Sequence, residues 1–311
     1  MELLVAVLLD WLIGDPHSFP HPVKLMGRII SFEERIVRKI FKEEGKKLKI
    51  GGFLIVVLNI SLAFIVPYLI LKCLKGYRLL YSIINIYFIY SCLAARCLDK
   101  EAMKVYFALD KSLDKARYKL SFIVGRDTKS LSEEGVIKAA IETVGENTSD
   151  GVIAPLIYIM LVGVPGGLMY KMVNTMDSML GYKNEKYKDL GFFPARVDDL
   201  FNYIPARITG LLMCLSSAFR FDVKNGVRIM IRDRKNHKSP NAAYPEGAVA
   251  GLLNIQLGGD GLYFGKLVRK PTIGDGIRRV SREDIKRTIE IMYRSEILLL
   301  TLYIAVTILG R

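Results

Sequence analysis

The feature that most constrains the fold is an uncharged apolar run of 22 residues at 50–71. A helix needs roughly 20 apolar residues to cross the hydrocarbon of a bilayer, so this run is long enough to span one. Two further uncharged runs follow at 79–95 and 151–170. The mean hydropathy is +0.27 although 24% of the residues are charged, so apolar and charged residues must be segregated along the chain. The pattern predicts a mainly α, polytopic membrane protein with several transmembrane or re-entrant helices and amphipathic cytoplasmic helices.

Three other apolar runs are too short to span a bilayer alone. They lie at 3–9 (extendable to 13 past Asp10), at 208–219 and at 297–310. Runs of this length often form buried core or re-entrant helices. We expect the whole chain, 1–311, to form a single integral membrane domain.

The run 151–170 has the length of a span but not its composition. It contains Pro155 and the sequence GVPGG at 163–167. Proline and paired glycines interrupt a helix, and broken backbone at membrane depth is tolerated only when it packs in protein or lines a cavity. The sequence therefore predicts a broken or re-entrant helix here.

Basic residues lie beside the apolar runs, within a net charge of +14. The segment 38–49 carries six Lys and Arg residues and 72–78 carries three, so the positive-inside rule places 38–49 in the cytoplasm. The segment 96–150 is then cytoplasmic as well, with Leu109, Leu113 and Ala116 at helical spacing. This distribution favours membrane lipid and phosphorylated substrates as partners over nucleic acid.

Four polar motifs border the apolar runs, and the first is GDPHSFPHPVKLMGR at 14–28. Its three prolines impose a rigid, extended loop that carries Asp15, His17, His21 and Lys24. The alternative is a Pro-rich connector with incidental polar groups. Zinc is also conceivable, but the spacing matches no recognised zinc motif.

The second motif, ETVGENTSD at 142–150, places Glu142, Glu146 and Asp150 one helical turn apart. Like charges stacked in this way repel each other, and a divalent cation or a cationic substrate would remove the repulsion. The alternative is a solvated helix end.

The third motif covers 174–207 and puts Asn174 and Asp177 on one helix face. Arg196 and the pair Asp198–Asp199 follow. Adjacent carboxylates point to different sides of a helix, so only one of the two would hold a metal. Ordinary capping and surface ion pairs are the alternative.

The fourth motif covers 232–265. Its Arg and Lys side chains can donate to phosphate or carboxylate. The sequence SPNAAYPEGAVAG predicts a turn followed by a helix of small residues, and LGGDGLYFG is Gly-rich, so its N–H groups could approach an anion. Neither GxxxxGK[ST] nor GxGxxG is present, so no standard nucleotide loop is indicated.

Together these motifs resemble the CobD/CbiB family of cobalamin biosynthesis. The resemblance rests on DWLIGDPHSFPHPVKLMGR, ETVGENTSDGVIAPLIY, NTMDSMLGYKNEKYKDLGFFPARVDDLFNYIPARITG and DRKNHKSPNAAYPEGAVAGLLNIQLGG, from about Asp10 to Gly276. It implies a polytopic adenosylcobinamide-phosphate synthase. Such an enzyme joins adenosylcobyric acid to (R)-1-amino-2-propanol O-2-phosphate in an ATP-driven amide ligation.

Under this resemblance, residue roles are inferred from chemistry. Magnesium is expected on Glu142, Glu146 and Asp150 with Asp177 or Asp198, and ATP is the second cofactor. The expected catalytic groups are Glu146, Asp177, and His21 or His237 for deprotonating the amine. The expected substrate and phosphate contacts are Asp15, His17, Lys24, Asn147, Asn174, Arg196, Arg232, Arg234, Lys238, Asn241 and Glu246.

The same reasoning implies one shared site that faces the cytoplasm at the cell membrane. Other membrane enzymes of late cobamide assembly are further candidate partners. Two other functions stay open: a membrane prenyl or phospho-alcohol transferase, for which DDLFN at 198–202 is a superficial match, and a cobamide or metal transporter. The amine could also be ethanolamine phosphate or threonine phosphate.

Overall fold

The chain is described here from a computed structural model, which covers residues 1–16, 20–42, 45–182, 184–263, 266–268 and 271–310. It divides into two compact units, each treated by itself: unit 1 comprises 1–94 and 154–202, and unit 2 comprises 95–153 and 203–311. The prediction of a single membrane domain stays a prediction.

The regular secondary structure in the described residues of unit 1 is all helical. Its helices are α1 (Glu2–Ile13), α2 (Pro22–Phe41), α3 (Gly45–Leu74), α4 (Arg78–Tyr90), α8 (Ala154–Val162), α9 (Val164–Leu180) and α10 (Phe192–Phe201).

Unit 2 combines helices with short strands. Its helices are α5 (Ala95–Leu109), α6 (Leu113–Leu120), α7 (Glu133–Thr148), a π-helical turn (Ser149–Ile153), α11 (Tyr203–Ser216), α12 (Val223–Arg232), α13 (Ala243–Leu252) and α14 (Glu283–Leu309). The strands form two antiparallel pairs, β1 (Leu257–Gly258) with β4 (Thr272–Ile273), and β2 (Gly261–Tyr263) with β3 (Lys266–Val268).

Three segments of the described chain are long and apolar enough to cross a membrane: Gly45–Leu74, Arg78–Leu109 and Glu283–Leu309. The prediction of a mainly α membrane protein is confirmed. The run 50–71 lies inside the first segment. The second segment is interrupted at 91–94, where α4 ends and α5 begins.

The treatment of 297–310 as a short run was wrong. The run is the second half of the 27-residue helix α14. The uncharged stretch begins only after Glu296, but the helix starts at Glu283, and Asp284 and Glu296 within it are buried inside the protein. Leu109 and Leu113 also do not share a helix, since Ser112 caps the start of α6 by accepting a hydrogen bond from the Lys115 N–H.

The run 151–170 is broken, as its composition predicts. Gly163 has φ 78°, a conformation that favours glycine, and it separates α8 from α9. The two helices then fold back on each other: a Cβ at Gly166 would lie 2.8 Å from the carbonyl oxygen of Tyr158, and one at Gly167 would lie 2.4 Å from Ile159 Cγ1. Each glycine of GVPGG thus serves either the turn or the close approach of the two helices. With nine residues, α8 is about 13 Å long, less than half of the hydrocarbon thickness.

Glycines also set the packing of unit 2. A Cβ at Gly251 in α13 would lie 2.5 Å from the carbonyl oxygen of Asn225, and one at Gly247 would lie 3.0 Å from Met230 Cα. Helices α12 and α13 can therefore approach closely only because these positions lack side chains. The predicted helix of small residues is confirmed, and it is almost completely buried.

The hairpin packing yields a stability prediction. Replacing Gly166 with alanine places a methyl group against the Tyr158 carbonyl and Val162, so α8 and α9 must separate. We expect the variant to lose about 1–3 kcal/mol of unfolding free energy, which thermal unfolding in detergent would detect as a lower melting temperature. Gly76→Ala is the control, because a Cβ there has no atom within 4 Å. Equal melting temperatures for the two variants would contradict the packing argument.

Candidate functional site

Residues of the second and fourth motifs meet in one pocket of unit 2. The pocket has a volume of about 210 Å³. From α7 it is lined by Ala139, Glu142, Thr143, Glu146 and Asn147; the 123–126 segment, His237 and Glu246 complete the wall. Residues nearly a hundred positions apart in the sequence are therefore brought together.

The N-terminal cap and the helical spacing of α7 place Glu142 and Glu146 at the pocket. Ser132 caps the helix by accepting a hydrogen bond from the Gly135 N–H at 3.1 Å. Helical spacing then places Glu142 and Glu146 one turn apart on the pocket side, as predicted. Asp150 lies beyond the end of α7, in the π-helical turn.

Glu142 already has cationic and polar partners within the protein. Its Oε2 accepts a hydrogen bond from Arg126 Nη2 at 2.9 Å, and its Oε1 accepts one from the Gly258 N–H at 2.8 Å. The Gly-rich loop therefore does present a backbone N–H to an anion, and that anion is a carboxylate of this chain. The cation in contact with Glu142 in this structure is therefore the Arg126 guanidinium. The predicted role of Glu142 as a metal ligand stays a prediction.

The loop before α13 fixes the orientation of His237. The backbone N–H of Ser239 donates to His237 Nδ1 at 3.0 Å, and His237 lines the pocket. A neutral imidazole that accepts at Nδ1 carries its hydrogen on Nε2, so Nε2 is a hydrogen-bond donor. Glu246 enters the pocket from the buried helix α13, where only 4% of its surface is exposed.

The basic residues of the fourth motif differ in their availability. Arg232 bonds both oxygens of Asp233, at 2.7 and 2.8 Å, and also bonds Asp275. These hydrogen bonds lower the pKa of Asp233 and of Asp275 and raise that of Arg232, so the three groups form a stable ionic cluster. Arg234 donates to the Ile231 carbonyl.

Two further predicted contacts of that motif differ in exposure. Lys238 is exposed. Asn241 is buried and accepts a hydrogen bond from Arg207 Nη1 at 3.0 Å.

In unit 1, the third motif forms a buried polar network around Asp198. Asn202 Nδ2 donates to Asp198 Oδ2 at 3.1 Å, and Asn174 Nδ2 lies 3.5 Å from Oδ1. Tyr170 donates to Asn202 Oδ1 at 2.7 Å. Burial, followed by the charge of Asp177, raises the pKa of Asp198 to about 7 against the lowering effect of the two amides.

Arg196 belongs to the same motif but lies on the outside. It is exposed, and its guanidinium carbon is 5.6 Å from the centre of the Phe192 ring. Its predicted phosphate contact stays a prediction.

The first motif also belongs to unit 1, and its described residues have structural partners. His21 caps α2: its Nδ1 accepts a hydrogen bond from the Val23 N–H at 3.2 Å, and its Nε2 lies 3.4 Å from Asp15 Oδ1. Lys24 is exposed in the first turn of α2. His17 lies outside the described residues.

Within the described parts of the chain, no group of three or more His, Cys, Asp and Glu side chains is arranged to hold a metal ion. The predicted acidic ligands are divided between the units: Glu142, Glu146 and Asp150 belong to unit 2, and Asp177 and Asp198 belong to unit 1.

Sequence reasoning missed several residues that complete these sites. Arg126 stands alone in a loop outside every motif, and only its distance from Glu142 reveals its role. Asp233 and Asp275 hold Arg232, which the sequence presented as a free phosphate ligand. Asn202 lies four residues after Asp198, and helical spacing could have identified that contact.

Comparisons with known proteins cover nearly the whole chain. The family model described as CobD/Cbib protein matches residues 3–292. The chain is similar to the cobalamin biosynthesis protein CobD of Clostridium acetobutylicum, with 49% identity over 308 residues, covering 98% of each chain. It is 52% identical to the protein of the same name from Clostridium tetani over 305 residues, covering 97% of this chain and 96% of that one. The Listeria monocytogenes protein of that name is 47% identical over 307 residues, covering 98% and 97%. No solved structure gives a significant match.

The raised pKa of Asp198 generates a pH prediction. Its ordinary value is 3.8, so the folded protein binds this proton more tightly than the unfolded chain does. The stabilisation of the folded protein by protonated Asp198 is complete below pH ~4 and is lost as the pH rises through 7. The shift of the Asp198 pKa corresponds to at most about 4 kcal/mol of unfolding free energy.

We expect Asp198→Asn to weaken the fall in melting temperature between pH 5 and pH 8, measured without divalent cations. Asp114→Asn, at an 88% exposed side chain, should leave the profile unchanged. A profile for Asp198→Asn that matches the unmodified protein would show that Asp198 does not titrate in this range.

Proposed function

Because this chain belongs to the CobD/CbiB family, we propose that it is an adenosylcobinamide-phosphate synthase of cobalamin biosynthesis. It would join the free carboxylate of adenosylcobyric acid to the amine of (R)-1-amino-2-propanol O-2-phosphate. The reaction is an amide ligation driven by ATP.

The observation that carries this proposal beyond family membership is the convergence of two motifs in the unit 2 pocket. Glu146 and Asn147 come from one motif, and His237 and Glu246 from the other. Acidic, amide and imidazole groups in one concave site suit a small ligand that carries both an ammonium and a phosphate group.

The size of the pocket favours the amine substrate over the corrinoid. About 210 Å³ accommodates a small phosphorylated amino alcohol, whereas a corrin ring is far larger. We therefore propose that the amine enters the pocket and that the corrinoid presents only its carboxylate at the mouth. Glu146 and Glu246 would bind the ammonium group.

The hydrogen bonds of the pocket suggest a division of roles. In neutral His237 the Nε2–H can donate to a phosphate or carboxylate oxygen. Glu146 is then the group that we propose as acceptor of the ammonium proton, which frees the nitrogen lone pair for attack on the acyl carbon. The corrinoid carboxylate would first accept the γ-phosphoryl group of ATP, with release of ADP, and the amine would then displace this phosphate as the amide bond forms.

The donor set of the pocket fits magnesium in the manner usual for phosphate chemistry. Magnesium commonly uses one or two protein carboxylates and completes its coordination with phosphate oxygens and water. Glu146 is the pocket carboxylate that we propose as one such ligand, and Asp150, in the π-helical turn that follows α7, is the second; the bound ion would neutralise phosphate charge. Arg234 and Lys238, on the loop that carries His237, are the side chains that we propose for the ATP phosphates.

We further propose that the protein resides in the cell membrane with this site on the cytoplasmic side. The basic segment 38–49 leads into the helix Gly45–Leu74 and overlaps its first residues, which supports that orientation by the positive-inside rule. ATP is available on the same side.

Glu146→Gln tests the proposed role directly. The purified protein would be supplied with adenosylcobyric acid, ATP, magnesium and the amine, and the product quantified by mass spectrometry. We expect ligation to fall about 100-fold or more, since general acid–base groups typically contribute that much. Glu134→Gln is the matched control, because it makes the same change on the exposed side of α7. An unchanged rate in Glu146→Gln with normal folding would contradict the assignment.

The same assay separates the remaining functions. A ligase consumes ATP only with both substrates present and yields the amide; a transporter or a prenyl transferase yields none. Competing (R)-1-amino-2-propanol O-2-phosphate, ethanolamine phosphate and threonine phosphate would identify the preferred amine from the product mass.

A further inference from the structure

In the described part of the chain, Arg126 is the only Lys or Arg side chain that lines the unit 2 pocket. Its Nη2 donates to Glu142 Oε2 at 2.9 Å, and the side chain is 14% exposed. Glu146 and Glu246 add two further acids to the same pocket. A single, largely buried arginine therefore stands among three glutamates.

The guanidinium of Arg126 has capacity for a second acceptor. It carries five N–H donors in a planar fork, and among the described residues Glu142 is its only hydrogen-bond partner. Its Nε and Nη1 are not fully enclosed by protein atoms, so a ligand can reach them. The other oxygen of Glu142 accepts a hydrogen bond from the Gly258 N–H at 2.8 Å. Glu142 is thus fixed at both oxygens and holds the guanidinium in one orientation.

The loop that carries Arg126 adds backbone donors. Val124, Gly125 and Arg126 all line the pocket, and their N–H groups donate to no other described residue. Gly125 is exposed, and a Cβ there would meet no atom within 4 Å, so protein does not cover the loop at this point. Backbone N–H groups of a turn beside an arginine suit an anion with several oxygen atoms, such as phosphate.

The spacing along α7 suits a ligand that carries opposite charges at its two ends. Glu142, which holds Arg126, and Glu146 are four residues apart, about 6 Å along the helix axis. In a phosphorylated 1,2-amino alcohol, two carbons and one oxygen separate the nitrogen from the phosphorus. Such a ligand can therefore place its phosphate at Arg126 and its ammonium group one helical turn further along.

We propose that Arg126 binds the phosphate group of the amine substrate and that Glu142 positions Arg126 for this contact. Arg126 would then select the phosphorylated amine over the unphosphorylated amino alcohol, since a guanidinium can bind phosphate through two parallel hydrogen bonds. This inference rests on the proposed function, because the ammonium group of the same ligand is assigned to Glu146 and Glu246.

Calorimetric titration of the purified full-length protein tests the proposal with (R)-1-amino-2-propanol O-2-phosphate and with unphosphorylated (R)-1-amino-2-propanol. The variants are Arg126→Gln and a double variant that also carries Glu142→Gln. The double variant leaves no unpaired carboxylate at position 142, so it separates phosphate binding from simple neutralisation of Glu142. Arg220→Gln is the matched control, because Arg220 also pairs with a glutamate of unit 2, Glu290 at 3.3 Å, and does not line the pocket.

We expect the unmodified protein and Arg220→Gln to prefer the phosphorylated amine. In Arg126→Gln and in the double variant, this preference should fall about 10- to 100-fold, since hydrogen bonds to charged groups typically contribute that much. The affinity for the unphosphorylated amine should be retained. A preference that survives in Arg126→Gln would overturn the proposal. A preference that returns in the double variant would also overturn it, because Arg126 would then serve only to neutralise Glu142.

The unmodified protein distinguishes failure of this proposal from failure of the proposed function. If it binds the phosphorylated amine and forms the amide with adenosylcobyric acid while Arg126→Gln keeps the preference, only the assignment of Arg126 is wrong. If the unmodified protein neither binds the phosphorylated amine nor forms the amide, the proposed function fails and the assignment of Arg126 fails with it.

Discussion

The close approach of α13 to α12 is the constraint on which the unit 2 pocket depends. Gly247 and Gly251 leave no room for a side chain between the two helices, so the position of α13 is fixed by backbone contact. Glu246, next to Gly247, is thereby held in the wall of the pocket although it is almost completely buried. On the other side, α7 packs against this segment: a Cβ at Gly145 would be in ordinary contact with the Glu246 backbone, at 3.8 Å. Gly247 and Gly251 thus determine the position of Glu246 in the pocket wall.

The electrostatics of the pocket follow from this packing. Three glutamates line it, and like charges in a partly buried site repel each other unless cations balance them. Arg126 balances Glu142, and the Gly258 N–H adds a second donor, so this acid ties the 123–126 loop and strand β1 to α7. Glu146 and Glu246 are the acids that we assign to the substrate. A ligand with an ammonium group would bring a cation to this acidic wall of the pocket.

Sequence patterns predicted the structural features that depend on residues close to one another in the sequence. The apolar run 50–71, the break at GVPGG and the small-residue helix 243–252 follow from composition and from the properties of glycine and proline, and the structure confirms them. The extent of α14 was missed because burial of Asp284 and Glu296 is a tertiary property that a count of uncharged residues does not detect. Arg126 and Asp275 were missed for a similar reason: each acts through a partner that is distant in the sequence.

The central claim is that the unit 2 pocket binds the phosphorylated amine. Calorimetric titration of (R)-1-amino-2-propanol O-2-phosphate into the purified protein and into Glu246→Gln tests it most directly. The account predicts binding to the unmodified protein and at least a tenfold loss of affinity in a variant that melts at the same temperature, as expected for loss of about 1.4 kcal/mol or more from an ionic contact. Equal affinity in the two proteins would contradict the claim.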